Sequence, residues 1–126
     1  MDHVVLGEQG FHAIETKSHK GRVNVKGKDL LINGRSPEKD FAKQAWRGCY
    51  RLREILDADA TPILLFSEAF VEGRITVRGV RVLPLPWLIG EIFGARGCYY
   101  PRMVKYAANA LGAATGCYPS AAPRPA

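Results

Sequence analysis

A chain of 126 residues suits one compact domain with a single core, which should bury roughly two-thirds of the surface that its unfolded form exposes. Hydrophobic residues at 47% and charged residues at 24% exclude a disordered or fibrous protein, and the longest apolar runs, residues 61–66 and 82–89, fall far short of the ~20 residues needed to cross a bilayer. The net charge of +6 and pI near 9.5 favour a polyanionic partner, because lysine and arginine displace condensed counterions from phosphates.

The chain opens Met1-Asp2-His3-Val4-Val5, without the basic region and long apolar run of a secretory signal, so a cytoplasmic location is the expectation. Residues 3–6 are apolar and β-branched, 7–10 form a turn, and 11–17 alternate again, which predicts a β-hairpin. Side chains alternate across a strand, so Ala13, Glu15 and Lys17 share one face while His12, Ile14 and Thr16 share the other. If the hairpin is symmetric about Glu8 and Gln9, Gly7 lies opposite Gly10, Leu6 opposite Phe11 and, continuing outward, Asp2 opposite Glu15. Directly paired residues have Cβ atoms about 5 Å apart on one face, so the two carboxylates converge. A slip of one residue, or a bulge at either glycine, would undo that pairing. It would leave Asp2 a frayed terminal residue and Glu15 and Lys17 part of an exposed strand.

Like charges facing each other in a sheet are destabilising unless something positive lies between them. Hard carboxylate oxygens suit magnesium or manganese, and magnesium commonly takes only one or two protein carboxylates. Such an ion would activate water and polarise a phosphoryl oxygen, while Lys17 would orient the water or offset transition-state charge.

A second hairpin is predicted over residues 22–32, with Gly27 and Lys28 at its turn and Asn33-Gly34 ending it. His19, Lys20, Arg22 and Lys26 lie just past the paired acids and read equally as guides for a phosphate backbone or as a solvated hairpin edge. Ser36-Pro37-Glu38 then predicts a helix from an N-cap at Ser36 to about Leu56. Phe41, Ala45, Cys49, Leu52 and Leu56 would face the sheet. Lys39, Lys43, Arg47 and Arg51 form a basic stripe beside them, either solvated or touching phosphates.

The continuous apolar run of residues 62–66 predicts a strand buried on both faces, hence an α/β crossover. Residues 74–83 alternate around Gly79, as two short strands or one bulged strand. A short apolar helix over 87–93 and an amphipathic helix over 100–111 follow, and residues 113–126 read as a loose tail behind a domain of residues 1–112. Cys49, Cys98 and Cys117 are too widely spaced for a zinc pair or a disulfide framework and read as reduced thiols. Trp46 and Trp87 read as core or interface anchors rather than base-stacking platforms. Ser67-Glu68 has no nearby histidine to complete a hydrolase triad.

The run from Asp2 to Gly7, followed by Phe11-His12-Ala13-Ile14-Glu15-Thr16-Lys17-Ser18-His19-Lys20-Gly21-Arg22-Val23, resembles the core of the nuclease-related domain family. There an aspartate opens a strand, a strand of pattern h-x-x-h-E-x-K ends in an acid and a lysine, and a short basic linker with glycine enters the next strand. The pattern is a version of the PD-(D/E)xK motif. The similarity continues through Ser36-Pro37, Gln44 and the buried strand to about Leu83.

The resemblance implies an α/β, restriction-endonuclease-like mixed sheet with N-terminal antiparallel hairpins flanked by helices. It also implies hydrolysis of DNA phosphodiester bonds with Mg2+ or Mn2+. Asp2, Glu15 and the Thr16 backbone carbonyl would bind the metal, Lys17 would be catalytic and Gln44 would support the site. His19, Lys20, Arg22, Lys43 and Arg47 are the expected contacts to nucleic acid. The family begins with a helix bearing a glutamate ahead of the first strand, and this chain starts at the aspartate. The expectation is therefore either a homodimer partner or an upstream segment in that place, or else a shortened, non-catalytic module that binds nucleic acid or a protein.

Overall fold

The computed structural model describes residues 3–7, 10–73 and 75–94. Asp2, the predicted helix over 100–111 and the predicted tail lie outside them. The first two strands, β1 (His3–Gly7) and β2 (Gly10–Lys17), form the expected antiparallel hairpin, in register from Gly7 opposite Gly10 to His3 opposite Ile14. The second hairpin joins β3 (Gly21–Lys26) to β4 (Asp29–Ile32) through Gly27 and Lys28, and Gly27 takes a φ of 65° that suits glycine.

The helix α1 (Phe41–Leu56) starts later than the sequence pattern predicts. Its N-cap is Asp40, whose Oδ1 accepts the Lys43 backbone N–H at 3.1 Å and whose other oxygen receives the Arg78 guanidinium at 2.9 Å. Ser36 instead leads an irregular bend, since a residue before proline is pushed away from helical ψ. Arg35 exchanges backbone hydrogen bonds with Ile32 and so lengthens the hairpin at the helix's expense. At the far end Asp57 adopts a left-handed φ of 50° and donates its backbone N–H to the Arg53 carbonyl, closing the last turn.

After α1 the chain enters β5 (Thr61–Phe66), which runs parallel to β2 on one side and to β8 (Val80–Pro84) on the other. A central strand of this kind explains the uninterrupted apolar run of residues 62–66. The stretch around Gly79 is a hairpin of β7 (Ile75–Val77) and β8, turning through Arg78 and Gly79 with φ of 49° and 81°. A Cβ on Gly79 would come within 2.9 Å of the Trp46 ring, whose indole N–H donates to the Arg78 carbonyl at 2.7 Å. Trp46 is thus an anchor between helix and hairpin. A 3-10 turn (Leu85–Trp87) leads into α2 (Leu88–Gly94).

The main sheet has the order β1-β2-β5-β8-β7. A strand not foreseen from the sequence, β6 (Ala69–Val71), pairs parallel to β3 and completes a second sheet of order β4-β3-β6. Its three residues are too few to show a period. Layers of apolar side chains join these elements. On one face of the main sheet Phe11 and Ala13 meet Cys49, Leu52 and Leu56 of α1. Beside them Phe41, Ala42 and Ala45 pack with Leu64, Phe66 and Val82, and with Val23, Leu30 and Val71 of the second sheet. On the opposite face Ile14, Ile63, Leu65 and Leu83 pack against Leu88 and Ile92 at α2. The architecture is mixed α/β.

Burial settles the state of one cysteine: desolvation pushes the Cys49 thiol up to about 11, so it stays protonated and unreactive at neutral pH.

Candidate functional site

The strand β2 carries the site. Its alternation places Phe11, Ala13, Glu15 and Lys17 toward α1, and His12, Ile14 and Thr16 toward the other face. The register against β5 sets Glu15 beside Leu64 and Lys17 beside Phe66, in the middle of a sheet that cannot shift without exposing its core.

The amine of Lys17 donates to Gln44 Oε1 at 2.8 Å and sits 4.5 Å above the centroid of the Phe41 ring. Phe41 and Gln44 are three residues apart on α1, so one helical turn presents both to the same amine. A neutral amide oxygen and an aromatic face hold the ammonium in place without neutralising it. Glu15, two residues before Lys17 on this face, is 8% exposed and is, with His12, one of the buried polar side chains among the described residues. The structure therefore brings Glu15, Lys17 and Gln44 to one face. The Lys17 carbonyl accepts the Ser67 backbone N–H at 3.1 Å, which ties the strand's end to the chain leaving β5.

The register of the first hairpin is observed as far as His3 opposite Ile14, and Asp2 lies beyond it, outside the described residues. Among the described residues no group of three His, Cys, Asp or Glu side chains is placed to hold a metal ion. Of the expected metal-binding residues, Glu15 and Thr16 are described, on adjacent positions of β2.

The expected nucleic-acid contacts separate. The exposed ring of His19 tilts against Phe41, with centroids 5.4 Å apart, and against Phe66 at 6.5 Å, which places it next to Lys17. The Lys20 carbonyl accepts from Asn33 Nδ2 at 3.0 Å and the Arg22 backbone N–H donates to Asn33 Oδ1 at 2.9 Å, so one asparagine clamps the linker around Gly21. The Arg22 guanidinium is engaged with Glu72 at 3.1 Å and lies 5.8 Å from the Phe70 ring. That exposed ion pair contributes about 1 kcal/mol or less. Lys43 and Arg47 stand on the exposed side of α1. Sequence reasoning did not single out Phe41 as the seat of the Lys17 amine, although its spacing from Gln44 was the available signal.

The opposite face holds a different polar group. His12 is 2% exposed, its Nδ1 has no hydrogen-bond partner among the described residues, and desolvation lowers its pKa from the ordinary 6.5 against a smaller opposing pull from Glu91. With the folded pKa depressed, the unfolded chain takes up a proton first as pH falls, so stability is present above about pH 6.5 and is lost below it. Urea unfolding at pH 7.5 and pH 5.5 should show the lower midpoint at pH 5.5, and His12→Leu should flatten the difference. The Asp40 carboxylate is lowered by its bond from the Lys43 amide, and its contribution is lost only below its ordinary value of 3.8, outside that window.

Compared with known families, residues 1–83 match the model described as the nuclease-related domain. The match ends at Leu83, within β8. No curated protein and no solved structure matches the chain.

Proposed function

The chain belongs to the nuclease-related domain family, and from that premise we propose that it is a metal-dependent nuclease hydrolysing phosphodiester bonds in DNA. The observation that carries this reading is the Lys17 amine, held at 2.8 Å by Gln44 on the face that also buries Glu15. An ammonium seated on a neutral amide and a ring keeps its charge available to an anion.

In the proposed reaction a water loses a proton to solvent as its oxygen bonds phosphorus, the bond to the leaving sugar oxygen breaks and that oxygen takes up a proton, and negative charge builds on the phosphoryl oxygens in between. Lys17 stabilises that charge or orients the water, and Gln44 with Phe41 fixes the amine for it. Glu15, Asp2 and the Thr16 carbonyl would hold Mg2+ or Mn2+, a donor set of hard oxygens with no more carboxylates than magnesium usually takes. When bound, the ion supplies Lewis-acid stabilisation and lowers the pKa of water. Lys20, Arg22, Lys43 and Arg47 would bind the strand away from the cut through its phosphates.

The test is nicking of supercoiled plasmid with and without magnesium, beside Glu15→Gln. Cleavage that needs the metal and disappears in the variant supports the reading. DNA binding that weakens with salt, without any strand loss in the native chain, would replace the enzyme by a binding module of the same fold.

A further inference from the structure

Beside Lys17 the surface opens into a groove of about 490 Å³, within the ~300–1,000 Å³ range of sites that take small ligands. Lys17, His19, Arg35 and Lys39 are among the side chains that line it. Ile32 and Pro37 add half-buried apolar surface. Glu38 is the carboxylate that borders it. Neither Arg35 nor Lys39 forms an ion pair with a described residue, and among the lining residues Lys17, Arg35 and Lys39 outnumber the Glu38 carboxylate, so the groove carries an excess of positive charge. Arg35 also stands on a fixed backbone: its N–H donates to the Ile32 carbonyl at 3.1 Å and its carbonyl accepts the Ile32 N–H at 2.8 Å.

We propose that this groove seats the nucleotide next to the bond that is cut, with its phosphate on Arg35 and Lys39 and its sugar and base against Ile32, Pro37 and the His19 ring. The inference rests on the nuclease reading for its substrate; it adds Arg35, which belongs to neither the E-x-K strand nor the basic stripe, and it separates Lys39, which precedes α1, from the stripe residues on the helix. A phosphate is the occupant because the groove's excess charge is cationic and Arg35 is carried on a backbone fixed by its two bonds with Ile32. The apolar surface of Ile32 and Pro37 suits the rest of a nucleotide, and Lys17 in the same lining ties the groove to the proposed reacting centre.

The experiment measures binding of a short fluorescein-labelled DNA duplex, without metal, to the Glu15→Gln chain over a range of salt concentrations. Adding Arg35→Ala should raise Kd about tenfold and lower the slope of log K against log salt by about one, and Lys39→Ala should act in the same direction. Arg53→Ala, at the other end of α1 and paired with Asp59, should leave Kd within about twofold. Unchanged binding in the Arg35 and Lys39 variants overturns the proposal, as does an equal loss in the Arg53 variant, which would reduce the effect to net charge. In the chain with Glu15 restored, Arg35→Ala should raise KM and leave kcat nearly unchanged. If the native chain fails to cleave, the nuclease reading fails while the binding measurements still decide the groove.

Discussion

Lys17→Ala should lower the rate of strand cleavage by about 10²- to 10³-fold while DNA binding at a given salt concentration changes only slightly, because the loss falls on the transition state. The amine is one cation among the 18 lysines and arginines of this chain, so its share of long-range attraction is small. Its position is what sets it apart: 2.8 Å from Gln44 and 4.5 Å from the Phe41 centroid, on the face that buries Glu15. Gln44→Ala should cost less, since the amine remains but loses the acceptor that aims it, and Gln44→Glu should cost more than its size suggests because it neutralises the ammonium. Cleavage by the Lys17 variant at the native rate would remove the catalytic role from this residue. An equal fall in binding and cleavage would make it a general phosphate contact.

Phe66→Ala should destabilise the fold by about 3–5 kcal/mol, a large part of the roughly 5–15 kcal/mol that holds a domain together. Phe66 is fully buried at the end of the central strand and stands in register with Lys17. Its ring centroid lies 6.4 Å from that of Phe41 and 6.5 Å from that of His19. Alanine would leave a cavity under the ring that supports the Lys17 amine, so the site would loosen as the core weakens. Urea denaturation of the two chains checks it, and a difference under about 1 kcal/mol would mean that the surrounding core closes over the gap. Phe66→Leu, which keeps most of the volume, should retain the larger part of both stability and cleavage.

The pairing of these two residues illustrates what could be read early. Period-two alternation over residues 11–17 put Glu15 and Lys17 on one face, which follows from local geometry, and the family pattern put Gln44 in support of them. The helix start was misjudged for a reason of the opposite kind. Ser36-Pro37-Glu38 carries a good local start signal, but Asp40 also caps, and it gains the Arg78 guanidinium from a hairpin some forty residues away. The short strand β6 and the groove beside Lys17 were hidden for the same reason: one needs β3 as a template, the other needs Ile32 and Arg35 to close on each other.

By itself the sequence determined the hairpins, the central buried strand, the apolar face of α1 and the family, because each is written in the spacing of neighbouring residues. Only the tertiary structure decided which helix turn meets Lys17, which cations pair with carboxylates among the described residues and which line a groove instead. Those outcomes depend on contacts between segments far apart in the chain, whose free energies are settled by packing and carry no local pattern.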